Sequence, residues 1–140
     1  DDLEFAAGTS FLCSFQSTGV TLTYSGEVLE GSTTLDLSGQ SYPFVANFTP
    51  VDLTLGQLSA AGMNIETDFI QFLSPDTAFT SLSAIYVDLA TAGGDAELVG
   101  WYGLDGETRL DSTPVPAGSA FLGSFQSPSV TITFPNPVAL

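Results

Sequence analysis

Apolar and polar residues alternate in short runs along most of the chain, and turn residues separate the runs. The runs lie at Val28–Leu29, Thr33–Leu37, Tyr42–Phe48, Val51–Leu55, Leu98–Tyr102 and Thr108–Leu110. Alternation with a period of two, in segments enriched in β-branched and aromatic residues, is typical of β-strands. Short strands at this spacing indicate a sandwich or a barrel. We predict that the 140 residues form one all-β, sandwich-like domain, jelly-roll or Ig-like, built from many short and mostly antiparallel strands.

Two copies of one segment lie near the two ends of the chain. Residues 7–24 and residues 117–134 are identical at eleven of eighteen positions, and each copy has two alternating runs around a polar turn. This pattern predicts a duplicated two-strand segment, which an old duplication of a hairpin would explain. Two copies are too few for a solenoid. Cys13 aligns with Gly123 of the second copy, so we interpret the single cysteine as a packing residue.

Two other segments carry more specific predictions. The last two alternating runs flank the pair Asp105-Gly106, and an Asp-Gly pair in that position predicts a hairpin with a type I′ turn. Within Asp76–Ala92, the apolar residues fit a helical stripe and, over Ala84–Leu89, also the alternation of a strand. The abundance of Thr, Ser, Val and Ile in this segment favours the strand.

The charge of the chain excludes several classes of function. Sixteen residues are acidic and one, Arg109, is basic, with no His and no Lys, so the formal net charge is −15. Nucleic-acid binding and adsorption to anionic lipid both need a basic surface. Nucleophilic triads and most zinc sites need His. We predict that the protein is not an enzyme, does not bind nucleic acid and, having no long apolar run, does not insert into a membrane.

The acidic residues are the remaining candidates for chemistry. They are spread singly along the sequence, so no Asp/Glu pair stands out for glycoside hydrolysis. Asp105 with Glu107, and Asp95 with Glu97, are the pairs that a weak calcium site built from separate loops would use. We interpret them instead as solvated charges that keep the protein soluble, and we predict no cofactor and no metal site.

Aromatic residues indicate a second class of function. Trp101 and Tyr102, with Tyr24, Tyr42 and Tyr86, could form a stacking platform for sugar rings. Adjacent strand residues face opposite sides, so at most one of the first two lies outside. A tryptophan in the core is the simpler interpretation. The alternative function is a secreted monomeric module that binds carbohydrate or adheres to surface glycans.

The location of the protein is predicted from its first residue and its composition. The chain starts at Asp1 rather than Met, as a secreted protein does after removal of its signal peptide, and an excised piece would look the same. Many Ser and Thr residues with a single basic residue suit an extracellular protein exposed to trypsin-like proteases. Asn47-Phe48-Thr49 matches the N-glycosylation triplet, which also recurs by chance. We expect a secreted protein, extracellular or on the cell surface.

Self-assembly is the function that these exclusions leave. The strand-like segments at the two ends could each complete a neighbouring subunit's sheet, since strand addition supplies main-chain hydrogen bonds without basic residues or disulfides. The side chains predicted to take part are Leu3, Phe5, Val130, Ile132 and Phe134. Pairing of both segments inside one sandwich is an equally weighted alternative.

With its Thr-rich alternating segments, the chain resembles secreted bacterial and archaeal surface proteins that build fibres or layers from β-sandwich subunits. The resemblance implies a homopolymer, and we predict the structural subunit of a pilus-like extracellular filament or of a surface layer. The chain departs from type IV pilins, because Asp1-Asp2-Leu3-Glu4 does not begin an apolar helix. It also departs from isopeptide-linked pilins, because they need lysine.

Overall fold

A computed structural model confirms the all-β, sandwich-like fold. It describes residues 16, 18–19, 30–72, 82–88 and 95–136. The strands are β1 (Thr33–Asp36), β2 (Phe44–Ala46), β3 (Leu53–Thr54), β4 (Ser59–Ala61), β5 (Phe69–Phe72), β6 (Leu82–Val87), β7 (Gly100–Gly103), β8 (Pro114–Val115), β9 (Ala120–Ser124) and β10 (Thr131–Phe134). Leu55–Gln57 and Ala96–Leu98 form short 3₁₀ helices.

The strands of the described residues pair antiparallel in three sheets. The largest has the order β2-β9-β5-β6-β7, the second has the order β1-β10-β4, and the third pairs β3 with β8. The register of the largest sheet aligns Phe44 with Leu122, Leu122 with Gln71, and Gln71 with Ser83. Consecutive strand residues face opposite sides. These four aligned residues therefore lie on one face of the sheet, and the buried Val45 lies on the other.

The hydrophobic core lies between the two larger sheets. Buried residues of both sheets belong to one cluster, with Val45, Ile70, Ala84, Trp101 and Phe121 from the five-stranded sheet and Ala60, Ile132 and Phe134 from the three-stranded sheet. The ring centroids of Phe72 and Phe121 lie 5.5 Å apart, and those of Phe48 and Phe134 lie 4.8 Å apart. Burial of this apolar surface stabilises the fold by about 25 cal/mol per Å².

The predicted strands are found in part. β1 and β2 lie within predicted runs, and β6 confirms the strand in the described part of Asp76–Ala92. The rest of that segment and the run Val28–Leu29 lie outside the described residues. The run Thr108–Leu110 forms only a single bridge, between Tyr102 and Arg109.

The hairpin predicted around Asp105 is present, but its turn differs. Gly106 N donates to Gly103 O at 2.9 Å, so Leu104 and Asp105 are the central residues of the turn, and Gly106 follows them with a φ of 70°. The Asp105 carboxylate accepts hydrogen bonds from the N–H and the hydroxyl of Thr108, at 2.9 and 2.6 Å. The predicted type I′ turn, centred on Asp105 and Gly106, is therefore wrong, because the Asp105 side chain closes a longer loop.

The second copy of the repeat contains two strands, as predicted, but they do not form a hairpin. β9 pairs with β2 and β5, whereas β10 pairs with β1 and β4. The segment thus passes from one sheet to the other, so this copy is not itself a hairpin. The first copy, with Cys13, lies outside the described residues except for positions 16, 18 and 19.

Candidate assembly edge

Three of the five predicted assembly residues lie in the core. Val130, Ile132 and Phe134 have no exposed surface, and β10 carries the last two in the middle of its sheet, between β1 and β4. Both edges of β10 are thus paired within the chain. To pair with a neighbouring subunit, β10 would first have to leave its own sheet. The other two, Leu3 and Phe5, lie outside the described residues.

β2 ends the five-stranded sheet of the described residues. Its pairing with β9 extends beyond the strand, since Pro43 O accepts from Gly123 N at 2.7 Å and Ser41 O accepts from Phe125 N at 2.8 Å. In an antiparallel pair, alternate residues turn their N–H and C=O groups to opposite sides. The residues that turn these groups away from β9 are therefore Tyr42, Phe44 and Ala46. We call these outward groups, with the side chains of the same three residues, the β2 edge.

The β2 edge lacks the features that usually protect an edge strand from pairing. Such features are charged residues, a proline at an outward position, or a bulge. Between Asp36 and Asp52 the sequence has no charged residue. Pro43 does not block the edge, because its missing N–H faces β9. No described residue pairs with the outward groups, so the edge is open within the described part of the chain.

The β2 edge also carries exposed aromatic side chains. Tyr42 is 72% exposed and Phe44 is 41% exposed, and both lie on the sheet face that points away from the core. Leu122, the cross-strand partner of Phe44, is half-buried on the same face. A single exposed apolar residue is ordinary, whereas neighbouring apolar side chains beside an open strand edge are typical of an interaction site.

Charged residues lie at the opposite end of the same sheet. β9, the neighbour of β2, belongs to a stretch, residues 112–140, with no charged residue. β7 adjoins the loop that carries Asp105, Glu107, Arg109 and Asp111. The sheet thus has a neutral end at β2 and a charged end at β7. Two copies of a chain with net charge −15 repel each other least when they approach through neutral ends.

Arg109, the basic residue of the chain, is engaged at that charged end. Its Nε forms a salt bridge with Asp111, and its Nη1 and Nη2 donate to Glu97 O and Val99 O at 2.8 and 2.9 Å. The hydrogen bond to Asp111 raises the pKa of Arg109. Its guanidinium carbon lies 5.6 Å from the centroid of the Tyr102 ring. These contacts tie the segment before β7 to the hairpin that follows it, which is a structural role.

The acidic pairs that a calcium site would use are bonded within their own loops. Asp105 accepts a hydrogen bond from Glu107 N at 3.0 Å, and Asp95 accepts one from Glu97 N at 3.1 Å. Hydrogen bonds from Thr108 lower the pKa of Asp105. The described residues hold no group of three or more side chains that could ligate a metal ion. Weak calcium binding, the alternative to the predicted solvated charges, therefore has no such group of ligands in this part of the chain.

The aromatic residues of the possible sugar platform do not share one surface. Trp101 is fully buried, which confirms the core position predicted for it. Tyr86 packs against it at 5.0 Å between ring centroids, and Tyr102, on the opposite face of β7, is also buried. Tyr42 is exposed, but it lies at the other end of the sheet. Tyr24 lies outside the described residues.

The glycosylation triplet is buried. Asn47 has no exposed surface, and its Nδ2 donates to Val51 O and Val115 O at 3.1 and 2.8 Å. Its Oδ1 accepts from the N–H and the hydroxyl of Thr49, at 3.0 and 2.7 Å. Each donor and acceptor of the amide thus has a partner. The folded protein leaves no room for a glycan there, and Asn47 instead anchors the loop after β2 to β8.

The β2 edge combines an open row of main-chain groups, exposed aromatic side chains and an absence of charge. No helix of the described residues is long and apolar enough to cross a membrane. Comparison with known proteins finds no matching family model, no matching curated protein and no matching solved structure.

Proposed function

We propose that the protein is a structural subunit of a pilus-like extracellular filament or of a surface layer, and that its subunits assemble by β-strand addition. The observation that carries the proposal is the β2 edge, where the outward groups of Tyr42, Phe44 and Ala46 have no described partner. A neighbouring strand can bond there without displacing any described strand. The exposed rings of Tyr42 and Phe44 would be covered by the same contact.

Charge sets the conditions for this assembly. Subunits with a net charge of −15 repel each other over a Debye length of about 30 Å at 0.01 M salt, and of about 8 Å at physiological salt. Main-chain pairing and apolar burial are short-range and depend little on salt. Assembly is therefore expected at physiological salt, with divalent cations or at mildly acidic pH, and not at low ionic strength.

A polymer needs a second surface on each subunit. Among the described residues, β1 lies at one end of the three-stranded sheet and is a second edge strand. Leu37 N donates to Val130 O at 2.9 Å, so Thr34 and Asp36 turn their main-chain groups away from β10. Asp36 is exposed and charged, which is a common protection against edge pairing. Hydrogen bonds from Ser38 lower the pKa of Asp36 and keep the charge in place. β1 is thus less open than the β2 edge.

Proline substitutions at the two edges test the proposal. Ala46→Pro removes one outward N–H from the β2 edge and leaves the pairing with β9 and the rings of Tyr42 and Phe44 intact. Thr34→Pro is the corresponding change on β1, and it also removes the hydrogen bond of 2.8 Å between the hydroxyls of Thr34 and Thr133. Purified protein is followed by light scattering and negative-stain microscopy at low and physiological salt, with circular dichroism to check the fold. We expect the unmodified protein to form polymers at physiological salt and Ala46→Pro to lose at least tenfold in scattering.

The two variants distinguish which edge pairs with the neighbouring subunit. Loss of polymer in Thr34→Pro alone would move strand addition to β1. The proposal would be refuted by full polymerisation of both proline variants, or by an unmodified protein that stays monomeric under every salt, cation and pH condition.

A further inference from the structure

We infer that the occupant of the β2 edge is the β2 edge of a second copy of this chain, paired antiparallel about a two-fold axis at Phe44. The inference rests on the proposed function, because it names the partner at the same edge. It also stands on observations of its own, which are the distribution of charge across the sheet and the order of large and small residues along the edge.

The charge distribution favours a second copy. The two strands at this end of the sheet, β2 and β9, belong to stretches without a charged residue. Pairing of two β2 edges would join two five-stranded sheets into one of ten strands. The two charged ends, at β7 of each copy, would then lie nine strand spacings apart, or roughly 43 Å. That separation is several times the Debye length of about 8 Å at physiological salt, so the repulsion between them is largely screened.

The sequence of the edge fixes the register. Only even-numbered residues present outward groups, so they must form the hydrogen-bonded pairs, in which two residues exchange two bonds. Placing Phe44 opposite Phe44 of the second copy puts Tyr42 opposite Ala46, and all three outward residues then pair in both copies. With the axis at Pro43 or Val45 instead, one of the three outward residues would no longer lie opposite another outward residue of the β2 edge.

Side-chain size agrees with that register. A two-fold axis perpendicular to the sheet keeps the outer faces of both copies on the same side. The large ring of Tyr42 then lies beside the methyl group of Ala46, and the two Phe44 rings lie side by side at the centre. Each Phe44 already has Leu122 as its cross-strand neighbour. The exposed apolar side chains of two copies would thus form one continuous row, which aromatic cross-strand pairs stabilise.

Cysteine cross-linking tests the register in the full chain, with Cys13→Ser as background. Residues of a hydrogen-bonded antiparallel pair have Cα atoms about 5.5 Å apart, within the range of about 4.4–6.8 Å that a disulfide spans. Phe44→Cys should therefore form covalent dimers under mild oxidation. Tyr42→Cys is the matched control, since residue 42 and its copy would be four residues apart along the strands, or about 14 Å.

Mixed samples test the same register with Phe44 retained. Tyr42→Cys mixed with Ala46→Cys should cross-link at least tenfold faster than either variant alone, because residues 42 and 46 face each other. Tyr42→Cys that dimerises as fast as Phe44→Cys would overturn the inference. So would the absence of both Phe44→Cys and mixed cross-links under conditions in which the unmodified protein associates.

The two proposals fail in different ways. Polymers without either cross-link would leave strand addition standing with another occupant. Cross-linked dimers without any polymer would support the two-fold pair and refute the filament or layer.

Discussion

Trp101 offers the most direct measure of how far the core depends on one side chain. It is fully buried on β7, and its Nε1 donates to Leu58 O at 2.9 Å. Its ring packs edge-on against the ring of Tyr86, with an angle of 62° between the two ring planes. Trp101→Ala leaves a large cavity and should cost about 3–5 kcal/mol. Trp101→Phe keeps most of the ring and leaves Leu58 O without its donor, which should cost about 1–3 kcal/mol.

Urea unfolding followed by far-UV circular dichroism measures these costs, which are large beside a total stability of about 5–15 kcal/mol for a domain. Tyr42→Ala is the control, because a side chain that is 72% exposed should change stability by no more than about 0.5 kcal/mol. The emission of Trp101 should be blue-shifted and indifferent to added sugars. A red-shifted emission that moves with one glycan, together with a stable Trp101→Ala variant, would refute the core assignment and favour the carbohydrate module.

Two further predictions concern buried polar side chains. Asn47→Ala removes both donors that reach Val51 O and Val115 O, and it should lower the free energy of unfolding in urea by about 3 kcal/mol. Folded protein from a glycosylating host should show no added mass at Asn47, and a glycan there would contradict the burial of this residue. Asp68 is 1% exposed, and burial alone would raise its pKa, but hydrogen bonds from Asn64, Ser127 and Gln126 outweigh burial and lower the pKa. Its stabilising effect is thus present above the unfolded pKa of about 3.9 and is lost as pH falls through the lower folded value. Asp68→Asn should therefore reduce the loss of stability between pH 7 and pH 3, and an unchanged pH dependence would assign the acid response to other groups.

Several strands could be predicted from the sequence because strand alternation is a local property, whereas β4, β5 and β8 lie outside the predicted runs. The run Thr33–Leu37 contains β1, and the run Tyr42–Phe48 contains β2, since in both the buried and exposed residues follow the period of two. Trp101 could be placed in the core because it and Tyr102 face opposite sides and a buried tryptophan is the simpler interpretation. These predictions need no knowledge of which strand lies beside which.

The hairpin around Asp105 was predicted correctly, but its turn type was not, because a side chain outside the local pattern decides the turn. Asp105 bonds to Thr108 and closes a longer loop than an Asp-Gly pair alone suggests. Arg109 lies over the Tyr102 ring, and both Tyr102 and Trp101 are buried although they face opposite sides. The alternation of a strand indicates which face of the sheet a side chain is on. It does not indicate whether a side chain from another segment, such as Arg109, lies over that face.

The segment predicted to take part in assembly shows the same division between local and long-range information. The alternation of Val130, Ile132 and Phe134 predicted a strand with an apolar face, and the strand is present. Whether that strand is central or at an edge depends on partners such as Thr33, which pairs with Phe134 from far along the chain, and no local pattern carries that information. The signal for the β2 edge was nevertheless in the sequence, as the absence of charge between Asp36 and Asp52. The net charge describes the whole chain, whereas the position of the uncharged stretches indicates where two such chains could meet.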